Sequence, residues 1–390
     1  MSFDADLLIL GGGCAGLSLG VQLAHAKASR FRTIIVERRE QYTNDRTWCF
    51  WRADRHPFES LVRHSWASMR VRSAYGATIL SCGQTPYQML SSDDFYRSAI
   101  QRIRDTAAVG LSLGVRVEGM PTPISGGWAV PTSQGVLQTR RIIDTRPPHG
   151  ARADDAMLWQ SFVGDEIECS TPVFDPTVVE LMDFAEPCSD GVAFTYVLPV
   201  SETRALIEHT VFGRTPLSAQ QLAAAQHRAI LRYSRGADVR TGRREHGVLP
   251  MGLNSPRLAP GANYTYAGLM SGAGRPSTGY AFQRIQRWAT MAAASIHGRG
   301  GALGHVPDAL HQRAMDRLFL QVLREHPHRG PELFSAMFGR VKPARIIRFL
   351  SDHATALDYA AVIAALPVGL FVSQLLKQSA PRAMTLGWNP

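Results

Sequence analysis

Leu7-Leu8-Ile9-Leu10-Gly11-Gly12-Gly13-Cys14-Ala15-Gly16 sets an apolar tetrad directly against a glycine-rich loop. The tetrad fits a buried parallel strand, and Leu17 to Ala24 continues at helical spacing. Thr33-Ile34-Ile35-Val36 supplies a second buried strand, ending in Glu37. A complete βαβ unit therefore surrounds the glycines, and that context makes Gly11, Gly13 and Gly16 a dinucleotide site rather than a bare turn. The first glycine permits the tight turn, the second admits a pyrophosphate to the backbone, and the third lets helix and strand pack closely. Cys14 and Ala15 open the helix whose free N–H groups and positive dipole end face the phosphates. Glu37 is placed to accept hydrogen bonds from a ribose, with Arg38 and Arg39 directly after it. The acidic end argues for an unphosphorylated ribose.

Further along, Ile142-Ile143-Asp144 is another short buried strand that returns the chain to the nucleotide domain. Asp144 belongs to that neighbourhood or caps a turn. Glycines recur over 268–280, before a helix predicted from about Tyr280 to Ile296. A site near the N-terminus combined with this late glycine-rich segment favours FAD over NAD. Between them, Val192 to Leu198 and Arg204 to Phe212 alternate and join through Ser201, Glu202 and Thr203. That is a hairpin, and hairpins belong to antiparallel sheet. Leu217 to Arg232 reads as a helix. Leu310, Met315, Leu318, Phe319, Val322 and Leu323 form a helical stripe over about 308–325. Tyr359 to Leu376 then runs eighteen residues without a charge, interrupted by Pro367 and Gly369.

The expected fold is α/β: a Rossmann-type FAD-binding domain, an antiparallel β-sheet substrate domain and a C-terminal helical region. The nucleotide domain takes residues 1–60 with 100–150 and 245–300. The substrate domain takes 61–99 with 151–244, and the helical region 301–390. A net charge of +10, with only three lysines among 42 basic residues, suits an anionic membrane surface. No basic stripe carries interleaved stacking aromatics, so nucleic acid is not an expected partner. Five widely spaced cysteines argue against a zinc site and a disulfide framework, and for a reduced, cytoplasmic setting. Asp4 and Asp6 precede the first strand, where a signal peptide would be basic.

Six blocks in order now carry a resemblance. They are Thr47-Trp48-Cys49-Phe50, Gln160-Ser161-Phe162-Val163-Gly164, Leu181-Met182-Asp183-Phe184, Phe194 to Pro199, Leu206-Ile207-Glu208-His209-Thr210, and Gly268 to Tyr280. Together they resemble the lycopene cyclase family of flavoproteins, its bacterial β-cyclase branch in particular. Two positions depart from the family pattern: His209 stands where a second carboxylate is usual, and Arg275 where a histidine precedes Pro276.

The resemblance implies acid-catalysed, non-redox closure of lycopene ends into β-rings, with Glu208 as proton donor; Asp183 assists as a hydrogen-bond partner or base, or caps a turn before Pro187. It implies FAD active in its reduced form, NAD(P)H as reductant, and lycopene or a related acyclic carotenoid as substrate. The cofactor-binding set adds Arg46, Trp48 and the late segment Gly272, Gly274, Pro276, Thr278, Gly279 and Tyr280 to the residues of the βαβ unit and Asp144. Along a strand the period is two, so Leu206, Glu208, Thr210 and Phe212 share one face, and His209 points the other way with Ile207 and Val211. Trp48, Trp159, Phe194 and Tyr196 are candidates for cation–π stabilisation. Pro367 and Gly369 favour a kinked helical pair that dips into the membrane from the cytoplasmic side, flanked by Lys342, Arg345, Arg348, Lys377 and Arg382, over a buried helical cap or a true span. A flavin monooxygenase, reductase or halogenase, or a non-catalytic carotenoid carrier, are the rival readings of the same fold.

Overall fold

A computed structural model of the chain describes residues 3–25, 31–147, 153–254, 261, 263–298, 301 and 303–379. Arg382 lies outside them. The helices run in chain order as α1 (Cys14–Ala24), α2 (Ser92–Arg104), α3 (Ala219–Ser234), α4 (Phe282–His297), α5 (Leu310–Glu325), α6 (Gly330–Arg340), α7 (Pro343–Leu350), α8 (Ala356–Ala365) and α9 (Val368–Ser379).

The first sheet has the order Val109–Leu113, Thr33–Glu37, Ala5–Leu10, Gly135–Asp144, Gly127–Thr132, Thr122–Ile124, and Tyr264–Tyr266 also pairs with Gly135–Asp144. Its central pairings are parallel, Leu8 lying beside Ile34 on one side and Ile142 on the other. Both faces are covered, so a continuous apolar run is needed rather than alternation. Leu7 and Ile9 pack with Leu17 and Leu19 of α1 and Trp288 of α4, while Leu8 and Leu10 pack with Trp128, Val130 and Tyr264.

The second sheet has the order Val239–Leu253, Ala156–Cys169, Arg204–Gly213, Gly191–Pro199, Val178–Asp183, Ser68–Ser73, Gly76–Ser81. It is antiparallel apart from the Ser68–Ser73 and Val178–Asp183 pair. One face carries α3, with Ile207 and Ala229 in one apolar cluster and Val211 and Leu222 in another. The opposite face carries the C-terminal helices: Leu206, Phe194 and Phe212 share a core with Leu320, Phe334, Met337, Ile346 and Phe349. A small third sheet, Thr47–Trp51, Tyr87–Ser91 and His64–Trp66, bridges the two halves.

Two domain boundaries shift. The cut at 245 falls inside the continuous strand Val239–Leu253, which pairs with Ala156–Cys169 from Val239 to Leu253. α2 belongs with the nucleotide layer, since Phe95, Ala99 and Ile103 pack in the core of α1 and α4. The uncharged run 359–376 is likewise two helices, bent by 95° across Leu366 and Pro367. Proline has no N–H to continue a helix but suits the first turn of the next one. Among the described residues no single helix is long and apolar enough to cross a membrane.

Candidate active site

The glycine loop is built as its spacing requires. Gly11 has φ +98°, a conformation that disfavours side chains. A Cβ on Gly16 would stand 2.0 Å from the Gly11 carbonyl oxygen, so the third glycine is fixed by packing. At Gly13 the same imaginary atom meets only open space, which leaves the α1 N-terminus approachable. Burial pushes the Cys14 thiol up to about 12, so it stays neutral there.

Glu37 ends its strand beneath this loop and accepts the Gly12 N–H at 2.7 Å. Burial opposes its charge, but Arg39 outweighs burial and holds the carboxyl below the usual range. The partner is Arg39 and not Arg38, which is exposed. Arg39 grips both carboxylate oxygens, reaches the Gly12 carbonyl at 3.3 Å, and lies over the Tyr42 and Tyr96 rings. A ribose hydroxyl at Glu37 therefore shares or displaces this arginine. Asp144 is buried and taken by Arg146 and by the Tyr264 hydroxyl at 2.8 Å. Arg46 bonds the Asp45 and His246 carbonyls, joining the nucleotide segment to the second sheet. These residues fit a dinucleotide whose phosphates approach Gly13.

A cavity of about 510 Å³ lies between the second sheet and α5–α9. All six blocks of the resemblance reach its wall, through Trp48, Phe162, Met182, Tyr196, Glu208 and Tyr280 among others. Thr278 and Gly279 line it too, in a turn over Pro276 closed by the Gly279 N–H donating to the Arg275 carbonyl at 2.9 Å. Gly272 (φ +94°) and Gly274 lead into that turn. Trp159 lies on the far side of its strand from Gln160 and Phe162 and is absent from the wall.

Glu208 is 8% exposed, and its neighbours Leu206 and Phe212 share the cavity face with it. The Thr210 hydroxyl donates to its Oε1 at 2.8 Å. Burial, helped by the nearby Glu245 carboxylate, pushes the Glu208 carboxyl up to about 8, against smaller downward pulls from Thr210 and Arg243. An acid in that range keeps its proton at neutral pH. Tyr196, Tyr87 and Tyr280 form a chain of hydroxyls at 2.9 and 3.1 Å, all held neutral by burial.

Asp183 does not join Glu208. Its Oδ2 accepts the Tyr233 hydroxyl of α3 at 2.8 Å, its Oδ1 accepts the Ala185 N–H, and Arg232 stands at 4.0 Å. It sits on the α3 side because a bulge between Glu180 and Asp183 lets Leu181 and Met182 both take the cavity side. His209 is on that same far side. Arg275 is fully buried: it reaches Asp316 of α5 at 3.4 Å, bonds the Phe349 carbonyl and lies 4.4 Å over the Phe349 ring. The departure from the family pattern thus ties the glycine-rich turn to the C-terminal helices.

The acid that does approach Glu208 is Glu245, which sequence reasoning missed. It stands in Arg243-Arg244-Glu245, a charged run that reads as solvent-facing, although strand alternation puts Arg243, Glu245, Gly247 and Leu249 on one face.

Residues 6–375 match the family described as Lycopene cyclase protein. The chain belongs to the lycopene cyclase family. It is 26% identical over 392 residues to a lycopene beta-cyclase of Paracoccus sp. (strain N81106 / MBIC 01143), covering 93% of this chain and 94% of that one. A lycopene beta-cyclase of Pantoea ananas is 27% identical over 315 residues, covering 75% and 76%. The fold is shared with more distant flavoproteins. A geranylgeranyl bacteriochlorophyll reductase-like protein from Thermoplasma acidophilum superposes with TM-score 0.60 at 13% identity, over 96% of this chain and 98% of that one. A flavin-dependent brominase gives 0.61 at 11% identity, over the same shares. In this cyclase family member Thr47–Trp51 and the turn at 275–280 contribute Trp48 and Tyr280 to the wall of the acid-bearing cavity.

Proposed function

We propose that this protein closes the acyclic ends of lycopene into β-rings, giving γ-carotene and β-carotene, with Glu208 as the proton donor. The observation that carries the reading is a buried glutamic acid, Glu208, on the wall of a largely apolar, aromatic-rich cavity in a member of the cyclase family. Glu208 gives its proton to the terminal carbon–carbon double bond, and the next double bond attacks the resulting cation to close the ring. A different proton then leaves the ring carbon, so substrate and product are isomers and no electrons are consumed. Thr210 orients the carboxyl through Oε1. Trp48, Phe194 and Tyr196 line the cavity, where ring faces stabilise positive charge.

Gly11, Gly13 and Gly16, the α1 N-terminus and Glu37 with Arg39 would hold FAD, with Thr278 to Tyr280 toward the cavity. Reduced and bound, FAD supplies electron-rich stabilisation of positive charge. NAD(P)H as the reductant belongs to this proposal.

Substrate entry through a membrane surface also belongs to it. Ile363, Val368, Val372 and Leu375 of α8 and α9 both line the cavity and are exposed on the outside, which makes this a mouth. Lys377 is exposed beside it, and Lys342 opens α7. Arg348 is paired with Asp358, and Arg345 with the Leu357 carbonyl, so these two stabilise the helices rather than wait for headgroups. A peripheral position on the cytoplasmic face of a membrane is part of the same proposal.

Expression in a lycopene-accumulating bacterium tests the activity. Red cells turn orange-yellow and the product has the mass of lycopene. Oxygenated or hydrogenated products point to a rival flavoenzyme, and unchanged lycopene to a carrier. Changing Ile363 and Val372 together to aspartate tests the mouth: sedimentation with vesicles falls while flavin content stays. Truncation is a poor substitute, because α7 contributes Ile346, Ile347 and Phe349 to the core.

A further inference from the structure

Glu208 and Glu245 occupy one row of the second sheet. Gly164 is the direct partner of Glu208 on one side and of Glu245 on the other, and Tyr196 lies opposite Glu208 in the next strand. The two glutamates are thus two strand spacings apart, about 10 Å between backbones. Gly164 has no side chain to stand between them. A Cβ there would lie only 3.3 Å from the Glu208 Cβ and the Leu206 side chain. Both acids line the cavity, and Glu245 is as buried as Glu208.

Their partners are unequal. Glu245 accepts the Thr47 hydroxyl at 2.9 Å and is paired with Arg243. Arg243 also holds Thr47 at 2.8 Å and Glu166 at 2.9 Å. Among the described residues Glu208 has one hydroxyl partner and no paired cation. Burial raises both carboxyls, but Arg243 and Thr47 pull Glu245 back down while the Glu245 charge adds to the rise at Glu208, so the proton settles on the acid without the paired cation. We propose that Glu245 is a positioning residue for the reaction: anchored by Arg243 and Thr47, its carboxylate faces Glu208 across Gly164 and keeps the proton on Glu208. Glu166 matters indirectly, because it takes part of the Arg243 charge that would otherwise favour ionised Glu208.

The other groups around Glu208 do not replace Glu245 in this role. Tyr196, Tyr87, Tyr280 and Cys49 are all pushed up by burial and stay neutral over the working range. Asp316 on α5, also on the cavity wall, is engaged by Ser277 at 2.8 Å and by Arg275.

This inference rests on Glu208 being the proton donor, and the test separates the two claims. With reduced, FAD-loaded enzyme, Glu245→Gln should move the alkaline limb of kcat/KM to lower pH by about one unit or more. Loss of the Glu245 charge and release of Arg243 act in the same direction. Glu245→Asp should restore the limb. Thr47→Val, a nearly isosteric change, should give a smaller shift of the same sign. Infrared titration supplies a readout independent of turnover. The protonated-carboxyl band that disappears in Glu208→Gln should titrate at lower pH in Glu245→Gln. If Glu245→Gln lowers activity by one factor at every pH and leaves that band's midpoint in place, the positioning role is overturned. If the wild type has no carboxyl band removed by Glu208→Gln, the donor assignment falls first and this proposal with it.

Discussion

The two faces of the strand Arg204–Gly213 carry acids in opposite circumstances. On the α3 face, Asp183, Glu186, Arg228, Arg232 and Tyr233 are tied to one another. On the cavity face, Glu208 has a hydroxyl and a second carboxylate but, among the described residues, no paired counter-ion. Burial is comparable, since Asp183 is 3% and Glu208 8% exposed. Pairing rather than depth therefore separates an acid that holds the fold from one that can give up a proton. Partners that donate to a carboxylate favour its charged form, and at Glu208, with no paired cation among the described residues, burial is left to hold the proton on.

Glu208→Gln is the most severe way to break this contrast. It keeps size and hydrogen bonding but has no acidic proton. General-acid contributions are about 10²–10⁴-fold, and cyclisation should fall at least that far. Flavin absorbance should be retained, because the change is remote from Gly11–Gly16. Cyclisation within a few-fold of wild type would place the proton elsewhere.

The same substitution has a stability signature with a definite sign. Glu208 titrates above its unfolded value, so its contribution is complete below about pH 4.5 and is lost as pH rises through about 8. Glutamine has nothing to lose. Denaturation of wild type and Glu208→Gln at pH 5 and pH 9 should show the variant gaining on wild type by about 2–4 kcal/mol across that interval. A constant difference would mean that Glu208 is ionised in the folded protein at neutral pH.

How much of this was readable from residues depends on how local the cause is. The βαβ unit is legible because a strand, three glycines, a helix and an acidic end occur within about forty residues and each has one geometric meaning. Glu208 is legible because period two assigns its face and the surrounding block resembles a family motif. For Asp183 the residues leave an assisting role and a turn cap both open, because the bulge that turns it to the α3 side has no signal in the sequence. Arg39 and Arg38 cannot be told apart until the chain turns after Glu37. Glu245 is hidden for a long-range reason: its burial comes from the strand Thr47–Trp51 and Arg243, nearly 200 residues apart in sequence. The bend at Pro367 is readable, but not that the two helices would wall a cavity.

Asp183→Asn sharpens the contrast from the paired side. It weakens a charged network on the α3 face without touching the cavity, so the cost should fall on stability, about 1–3 kcal/mol. Cyclisation by the folded fraction should remain within a few-fold of wild type. Tyr233→Phe, which removes only the hydroxyl donated to Asp183, should give a smaller loss of the same kind. A hundredfold fall in turnover for Asp183→Asn, with unfolding unchanged, would return Asp183 to the list of candidate bases.

The smallest effect is expected at His209, which is adjacent to Glu208 in sequence but points away from it. Its ring is 3% exposed, and burial brings it down to about 4 despite the opposing pull of Glu186, so it is neutral at pH 7. A histidine whose folded value lies below its unfolded one contributes stability above about pH 6.5 and loses it as pH falls toward 4. Asparagine keeps polarity and removes the titration. His209→Asn should therefore cyclise within about twofold of wild type at pH 7, and its stability deficit should shrink on acidification, by about 1–2 kcal/mol between pH 7 and pH 4.5. Arg228 and Arg232 add to burial in disfavouring a second cation on that face, and Glu186 offsets part of it. If the variant instead moves the alkaline limb of cyclisation, as Glu245→Gln is expected to do, then charge on the α3 face reaches Glu208 through the sheet, and the separation of the two faces fails.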